Sequence, residues 1–365
     1  MARSDPHLTA AETKGLRAAR ALEGHVRWLE SFTPAALGVL AVASGIYTYL
    51  GVSSLLEDTG AMSFFAAVAY SVAVSVGIFV FWSYMMRLLP AMRTASGLVG
   101  LVLSTIIGSF AIIAMSSWLN AAALAGSAAV EQHLENTVRD YQGGLERAHE
   151  IALSGQALGR EVERARQTFE ALADQERSGD LSGAAGEGAV FRVLTQKTEE
   201  LSNLEQQIAA QSPLITAAFE EGNRILGRMR ELTVAPGPVD QRSVLFAEES
   251  VRLAGVIASL NQYSVATLVT RAAQDLPASV VLPELDGRNS DVRAAQSSTI
   301  ASVLSALDQR SQTLKRAADE VLALEPPAET VYNPISSADA VIRYAGNFVP
   351  SWAGALAIAL LPAAL

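Results

Sequence analysis

The sequence of 365 residues is 50% hydrophobic, only 18% charged, and carries a net charge of −10 at pH 7. It contains no cysteine, which excludes disulfides and thiolate metal sites whatever the compartment. A soluble protein of two or three domains is also disfavoured, because the charged residues are absent from several long runs.

Four runs of the chain contain no Asp, Glu, Lys or Arg. They cover residues 31–56, 59–86, 94–130 and 345–365. A helix of about 20 apolar residues crosses a bilayer core of about 30 Å, so each run is long enough to span a membrane. The sequence therefore predicts an all-α integral membrane protein with four transmembrane helices. We expect the fourth, at 348–365, to be incomplete in this sequence and the natural chain to continue past Leu365.

The amino-terminal segment, residues 1–31, has the pattern of an amphipathic helix. Leu22, Val26 and Leu29 share one face, and basic residues occupy other positions around the helix. It does not have the pattern of a cleaved signal peptide. Such a helix either lies on the inner leaflet of the membrane or binds a cytoplasmic partner. Residues 32–125 then form the predicted three-helix transmembrane bundle.

The loops between the predicted spans differ in charge, which predicts their orientation. The amino-terminal segment holds five basic residues, the first loop holds only Glu57 and Asp58, and the second holds Arg87 and Arg93. Basic residues in short loops mark the cytoplasmic side. We therefore expect a bacterial inner membrane protein with a cytoplasmic amino terminus. The long segment 126–347 is expected to be extracytoplasmic, in the periplasm of a Gram-negative cell.

Small residues recur at four-residue spacing in the second and third runs. The helix-packing residues predicted from this spacing are Ala69, Ala73, Gly77, Gly100, Ser104 and Gly108. Such rows let helix backbones approach closely. They either pack the chain's own helices together or offer a surface to a partner or a second copy. No Asp, Glu, Lys, Arg or His lies within any of the four runs. The sequence therefore lacks the charged group that a proton pump, a proton-coupled transporter or a proton-driven motor stator most simply uses.

The segment 126–347 carries 31 acidic and 20 basic residues, a net charge of −11. This charge suits a solvated surface and disfavours binding to nucleic acid or anionic lipid. Glycine and proline divide the segment into four predicted helical stretches, at 128–178, 189–233, 240–275 and 290–325. Four is an even number, so two helices can lead away from the membrane and two can lead back to the fourth span.

Apolar residues follow a heptad-like spacing in the first two of these stretches. The seam residues are Leu134, Val138, Tyr141, Leu145, Leu194, Leu201, Ile208 and Ile215. Alternating steps of three and four residues are typical of a coiled-coil seam. A helix with one apolar stripe must bury it against another helix. The sequence therefore predicts a long antiparallel helical bundle, or coiled-coil domain, between the third and fourth spans.

The sequence contains no motif for catalysis or for binding a cofactor or metal. We therefore expect no enzyme activity, no catalytic, cofactor or metal site, and no cofactor. The expected partners are the lipid bilayer and either further copies of the chain or a larger membrane protein complex, with no nucleic acid. The function expected is that of a non-catalytic scaffold or accessory subunit. The alternative is a sensor whose extracytoplasmic helical bundle receives a signal, and a channel or transporter component is the least favoured.

Overall fold

The computed structural model describes residues 10–53, 55–56, 60–88, 91–183, 185–278 and 290–364. The chain divides into two compact units. The first unit comprises Met1–His133 together with Pro334–Leu365, and the second comprises Leu134–Asn333. Every long regular element among the described residues is an α-helix. In chain order they are α1 (Ala10–Ser53), α2 (Ala61–Leu88), α3 (Ala95–Ser178), α4 (Ala189–Val234), α5 (Val239–Gln262), α6 (Ala266–Ala278), α7 (Ser290–Leu322), α8 (Ser337–Arg343) and α9 (Val349–Ala364).

Three of these helices, α1, α2 and α3, are long and apolar enough to cross a membrane. This agrees with the first three charge-free runs of the sequence. Helix α9 is apolar but has 16 residues. At a rise of 1.5 Å per residue it is about 24 Å long, which is shorter than a bilayer core. A fourth span therefore stays a prediction.

Helix α1 runs without interruption through the boundary at residue 31 that the sequence suggested. It is 44 residues long and contains Pro34. The side chains change from charged to apolar at this boundary. That change affects whether the helix favours water or lipid, but it does not end the helix. The predicted amphipathic segment is thus the first part of α1. Residues 1–9 of that segment lie outside the described residues.

Helix α3 likewise joins two predicted elements, the third span and the stretch 128–178, into one helix of 84 residues. Its residues belong to the first unit up to His133 and to the second from Leu134. The sequence where the two predicted elements meet, residues 121–130, is rich in alanine, the residue with the highest helix propensity, and contains no proline.

The short helix α8 is attached to α3 by polar contacts within the first unit. Trp118 Nε1 donates a hydrogen bond to the carbonyl of Ala338 at 3.0 Å. His133 Nδ1 lies 2.9 Å from the hydroxyl of Tyr344. Ser336 caps α8, because its side chain accepts a hydrogen bond from the backbone N–H of Asp339.

In the second unit, the predicted stretch 240–275 is two helices and not one. Helix α5 ends at Gln262 and α6 begins at Ala266. The break changes which face is buried, because Leu260 is the last buried residue of α5 while α6 buries a new series that starts at Ala266. The buried residues of α6 lie in the core cluster that α3, α4 and α7 also form, whereas those of α5 do not. The other predicted break, at 277–289, begins later than expected because Pro277 lies inside α6, and residues 279–289 lie outside the described part.

The predicted tip between α3 and α4 is a turn that requires glycine. Gly179, Gly183 and Gly186 all have positive φ angles, a conformation that other residues rarely adopt. A Cβ atom on Gly179 would lie 2.8 Å from the backbone nitrogen of Ala185. The chain can therefore reverse here only because these positions carry no side chain.

One core cluster of the second unit is built from α3, α4, α6 and α7. Its largest fully buried side chain is Phe169, and Leu194, Leu201 and Leu307 lie in the same cluster. All of the seam residues are buried. They are Leu134, Val138, Tyr141, Leu145, Leu194, Leu201, Ile208 and Ile215. Their burial is what a helical bundle requires, whereas coiled-coil geometry in this unit stays a prediction.

Candidate interaction surfaces

Helices α1 and α2 approach closely through small residues. Gly45 of α1 faces Ser75 of α2, and any Cβ atom at Gly45 would overlap the Ser75 hydroxyl. Ala67 and Ser71, on the same side of α2, are buried. The face of α2 that packs on α1 is therefore the one that carries Ala67, Ser71 and Ser75.

Helix α3 approaches both of the other helices. A Cβ atom on Gly51 of α1 would lie 2.5 Å from the backbone oxygen of Leu119 of α3. On the other side of the bundle, the ring of Phe81 of α2 covers Gly108 of α3 so tightly that a Cβ atom there would overlap it. Each of the three helices thus contacts the other two in this unit.

The predicted helix-packing residues lie mainly outside these contacts. Ala69, Ala73 and Gly77 are exposed, on a different face of α2 from the one that packs on α1. Gly100 and Ser104 of α3 are exposed as well, whereas Gly108 is half-buried beneath Phe81. We call Ala69, Ala73 and Gly77 the open row. A Cβ atom at Gly77 would meet no atom within 4 Å, so the open row is free to receive another helix.

A buried polar cluster joins α1 and α3, and sequence reasoning missed it. The hydroxyl oxygens of Ser44 and Ser116 lie 3.2 Å apart. Asn120 Nδ2 donates a hydrogen bond to Ser116 Oγ at 3.1 Å, and Thr48 lies completely buried on α1. Each helix contributes a polar pair at four-residue spacing, Ser44 with Thr48 and Ser116 with Asn120. These polar pairs within charge-free runs could have predicted the cluster from the sequence, because four-residue spacing places both side chains on one face of a helix.

Part of the hydrogen-bonding capacity of this cluster is unused. Thr48 Oγ1, Ser117 Oγ and Asn120 Oδ1 are buried and have no hydrogen-bond partner among the described residues. An unsatisfied buried polar group costs about 1–3 kcal/mol. The hydrogen bonds that are made hold α1 against α3, because polar groups associate across helices in an apolar environment.

The amino-terminal part of α1 exposes a series of large apolar side chains. They are Leu22, Val26, Trp28, Leu29 and Phe32. The rings of Trp28 and Phe32 are stacked, with centroids 4.6 Å apart. An exposed series of this kind indicates contact with a membrane or a protein and not with bulk water.

Charged groups in the second unit form ion pairs within helices and, at Arg166 and Glu205, between two helices. Lys197 is only 1% exposed, and its Nζ atom lies 2.7 Å from a carboxylate oxygen of Glu200. Arg166 of α3 binds Glu170 and also Glu205 of α4, and the hydrogen bond to Glu205 raises the pKa of Arg166. Among the described residues, no group of three or more His, Cys, Asp or Glu side chains is placed to hold a metal ion.

His149 provides a pH-dependent contribution to the stability of the second unit. Its ring stacks on Phe219 with centroids 3.8 Å apart, and burial lowers the pKa of His149 below its usual 6.5. The folded state therefore favours the neutral ring, and the unfolded state binds more protons once the pH falls below 6.5.

We expect the second unit to lose stability as the pH is lowered from about 7.5 to about 5.5. His149 is the only histidine in residues 134–333, so this interval isolates its titration. Amide hydrogen exchange of peptides from this unit, measured at both pH values, checks the result. In the variant His149→Phe the same change of pH should have a smaller effect, and an unchanged pH dependence would contradict the assignment.

No protein-family model, no characterised protein and no solved structure matches this chain. The surfaces described above are therefore the basis for its functional interpretation.

Proposed function

We propose that this protein is a non-catalytic membrane scaffold or accessory subunit that associates with further copies of itself or with a larger membrane protein complex. It acts through the faces of its transmembrane helices and through the helical bundle of residues 134–333. In this proposal the protein lies in a bacterial inner membrane. Its amino terminus is cytoplasmic and the helical bundle is in the periplasm, as the charges of the loops favour.

The observation that supports this proposal is the exposure of the open row. Ala69, Ala73 and Gly77 occupy one face of α2, while α1 packs on a different face through Ala67 and Ser71. Lipid chains gain little from a flat strip of small residues, whereas another helix can approach it closely. The row is therefore better suited to a protein helix than to lipid.

Cysteine cross-linking in native membranes tests this proposal directly. The chain contains no cysteine, so each single-cysteine variant reports on one position. We expect Ala73→Cys to form a disulfide-linked product with a second Ala73→Cys chain, or to be cross-linked to another protein by a short thiol-reactive reagent. Mass spectrometry of the product identifies the partner.

Two positions on α2 serve as controls for this experiment. Val72 is exposed but lies beside the open row, and Ala67 is buried against α1. Val72→Cys and Ala67→Cys should give little product. Equal cross-linking at Val72 and Ala73, or none at Ala73 at native expression levels, would contradict the scaffold proposal.

A second candidate function, that of a sensor, is favoured by a cavity in the second unit. This cavity has a volume of about 740 Å³ and lies between α3 and the extended segment after α7. Its walls include Arg139, Arg147 and Pro326, and Arg147 Nε donates a hydrogen bond to the carbonyl of Glu325 at 2.9 Å. A volume of this size is within the range of small-molecule sites. A ligand-dependent change in thermal stability that Arg139→Gln abolishes would favour the sensor.

A further inference from the structure

A groove lies between the middle of α1 and the carboxyl-terminal end of α2. Its volume is about 890 Å³, which is within the range of ligand-binding pockets. Apolar side chains of both helices form most of its wall, among them Leu29, Leu37, Phe79 and Val80. The groove is therefore mainly apolar, and it lies between two helices that are long and apolar enough to cross a membrane.

Two side chains of opposite charge line this groove. Glu30 of α1 and Arg87 of α2 both line it, and both are exposed. Neither makes an ion pair with any residue that the structure describes, so they do not neutralise each other. The groove thus offers one carboxylate and one guanidinium group, not paired with each other, to the same bound molecule.

Pro34 adds a further acceptor beside Glu30. Proline has no backbone N–H, so within α1 the carbonyl of Glu30 loses its usual hydrogen-bond donor four residues later. The same part of the groove therefore presents both the Glu30 carboxylate and a backbone oxygen without its helical partner. Together they suit a donor with several N–H groups and a positive charge.

We propose that this groove binds one molecule of an amine-bearing phospholipid of the phosphatidylethanolamine type. The guanidinium of Arg87 pairs with the phosphate, because arginine recognises phosphate through paired N–H donors. The ammonium group of the lipid is held by the carboxylate and the carbonyl of Glu30. One acyl chain follows the apolar wall at Leu37, Phe79 and Val80. The proposal depends on α1 and α2 crossing a membrane and not on the scaffold function.

The charges favour this lipid over other occupants. An anionic phospholipid without an amine would place its second polar group beside the negative charge of Glu30. A phosphatidylcholine headgroup has a quaternary nitrogen without N–H donors, so it cannot donate to the Glu30 oxygens. A helix from a second copy would remove both charged groups from water. The desolvation free energy would then exceed the gain from contact unless each charge met a counter-charge.

Native mass spectrometry of the full chain, purified in mild detergent and stripped of lipid, tests the proposal. The protein is titrated with phosphatidylethanolamine, phosphatidylglycerol and phosphatidylcholine of identical acyl chains. We expect phosphatidylethanolamine to bind most tightly. Arg87→Gln should weaken it by about tenfold, as expected for loss of a charge-assisted contact. Glu30→Gln should abolish the preference over phosphatidylglycerol while leaving phosphate binding in place.

Matched controls carry the same changes of charge outside the groove. Arg93 follows α2 and is exposed, and Glu23 lies on α1 paired with Arg27 at 3.7 Å. Arg93→Gln and Glu23→Gln should keep the affinity and the preference of the unaltered protein. Equal binding of the three lipids, or loss of binding in the control variants to the same degree, would overturn the proposal.

Discussion

Replacing Phe169 with alanine is expected to lower the free energy of unfolding of the second unit by about 3–5 kcal/mol. Phe169 is fully buried among side chains of α3, α4, α6 and α7, so its removal leaves a cavity that several helices would have to move to fill. Native-state hydrogen exchange of the full chain in detergent measures the change. The relevant peptides are those that cover residues 158–173.

Leu153→Ala is the control for this experiment, because Leu153 lies on the same helix but is half exposed. It should change the free energy by no more than about 0.5 kcal/mol, as is usual for surface positions. Similar exchange in the Phe169 and Leu153 variants would show that α3 does not pack into this core through Phe169.

Replacing Gly51 with alanine is expected to destabilise the bundle of α1, α2 and α3 by about 1–3 kcal/mol, the usual cost of overpacking. The added Cβ atom would lie 2.5 Å from the Leu119 oxygen and 3.1 Å from its Cα atom. These are backbone atoms of a helix, so no side-chain rotation can relieve the overlap and α1 must move away from α3. The hydrogen bond between Ser44 and Ser116 would lengthen with it.

Gly77→Ala makes the same chemical change on α2 at a position where the added atom meets nothing within 4 Å. It should not lower the stability of the isolated protein, and the higher helix propensity of alanine should raise it by up to about 1 kcal/mol. All four tryptophans of the sequence lie in the first unit, so thermal unfolding followed by tryptophan fluorescence reports on this unit alone. Equal midpoints for Gly51→Ala and Gly77→Ala would contradict the close contact of α1 with α3.

Much of the helical architecture could be predicted because its signals are local. The absence of charge over long runs marks helices that are apolar enough to cross a membrane, and α1, α2 and α3 have this property. The predicted stretch 189–233 agrees with α4, which the structure places at Ala189–Val234. Glycine at 188 has a low helix propensity, and the prolines of the Pro-Gly-Pro sequence after α4 fix the backbone, so both ends of α4 follow from local sequence.

The helix faces that meet could not be predicted, because several faces of α2 carry small residues. Ala69 and Ala73 satisfy the four-residue spacing as well as Ala67 and Ser71 do, yet only the second pair is buried. Spacing indicates that a close approach is possible but not which helix makes it. The same limit applies to the polar cluster and to the groove between α1 and α2. Ser44 meets Ser116, and Glu30 and Arg87 line one groove, only when the helices have packed.

The polar cluster between α1 and α3 also sets an order of events during synthesis. Ser44 and Ser116 are 72 residues apart in the sequence. A ribosome that adds about 5–20 residues per second needs about 4–14 seconds to make the intervening chain. During that interval Ser44 and Thr48 lie on a helix whose partner does not yet exist. Until then both hydroxyls can bond only to carbonyls of their own helix, as serine and threonine do within helices. Once α3 has been inserted, the Ser44 hydroxyl lies against Ser116.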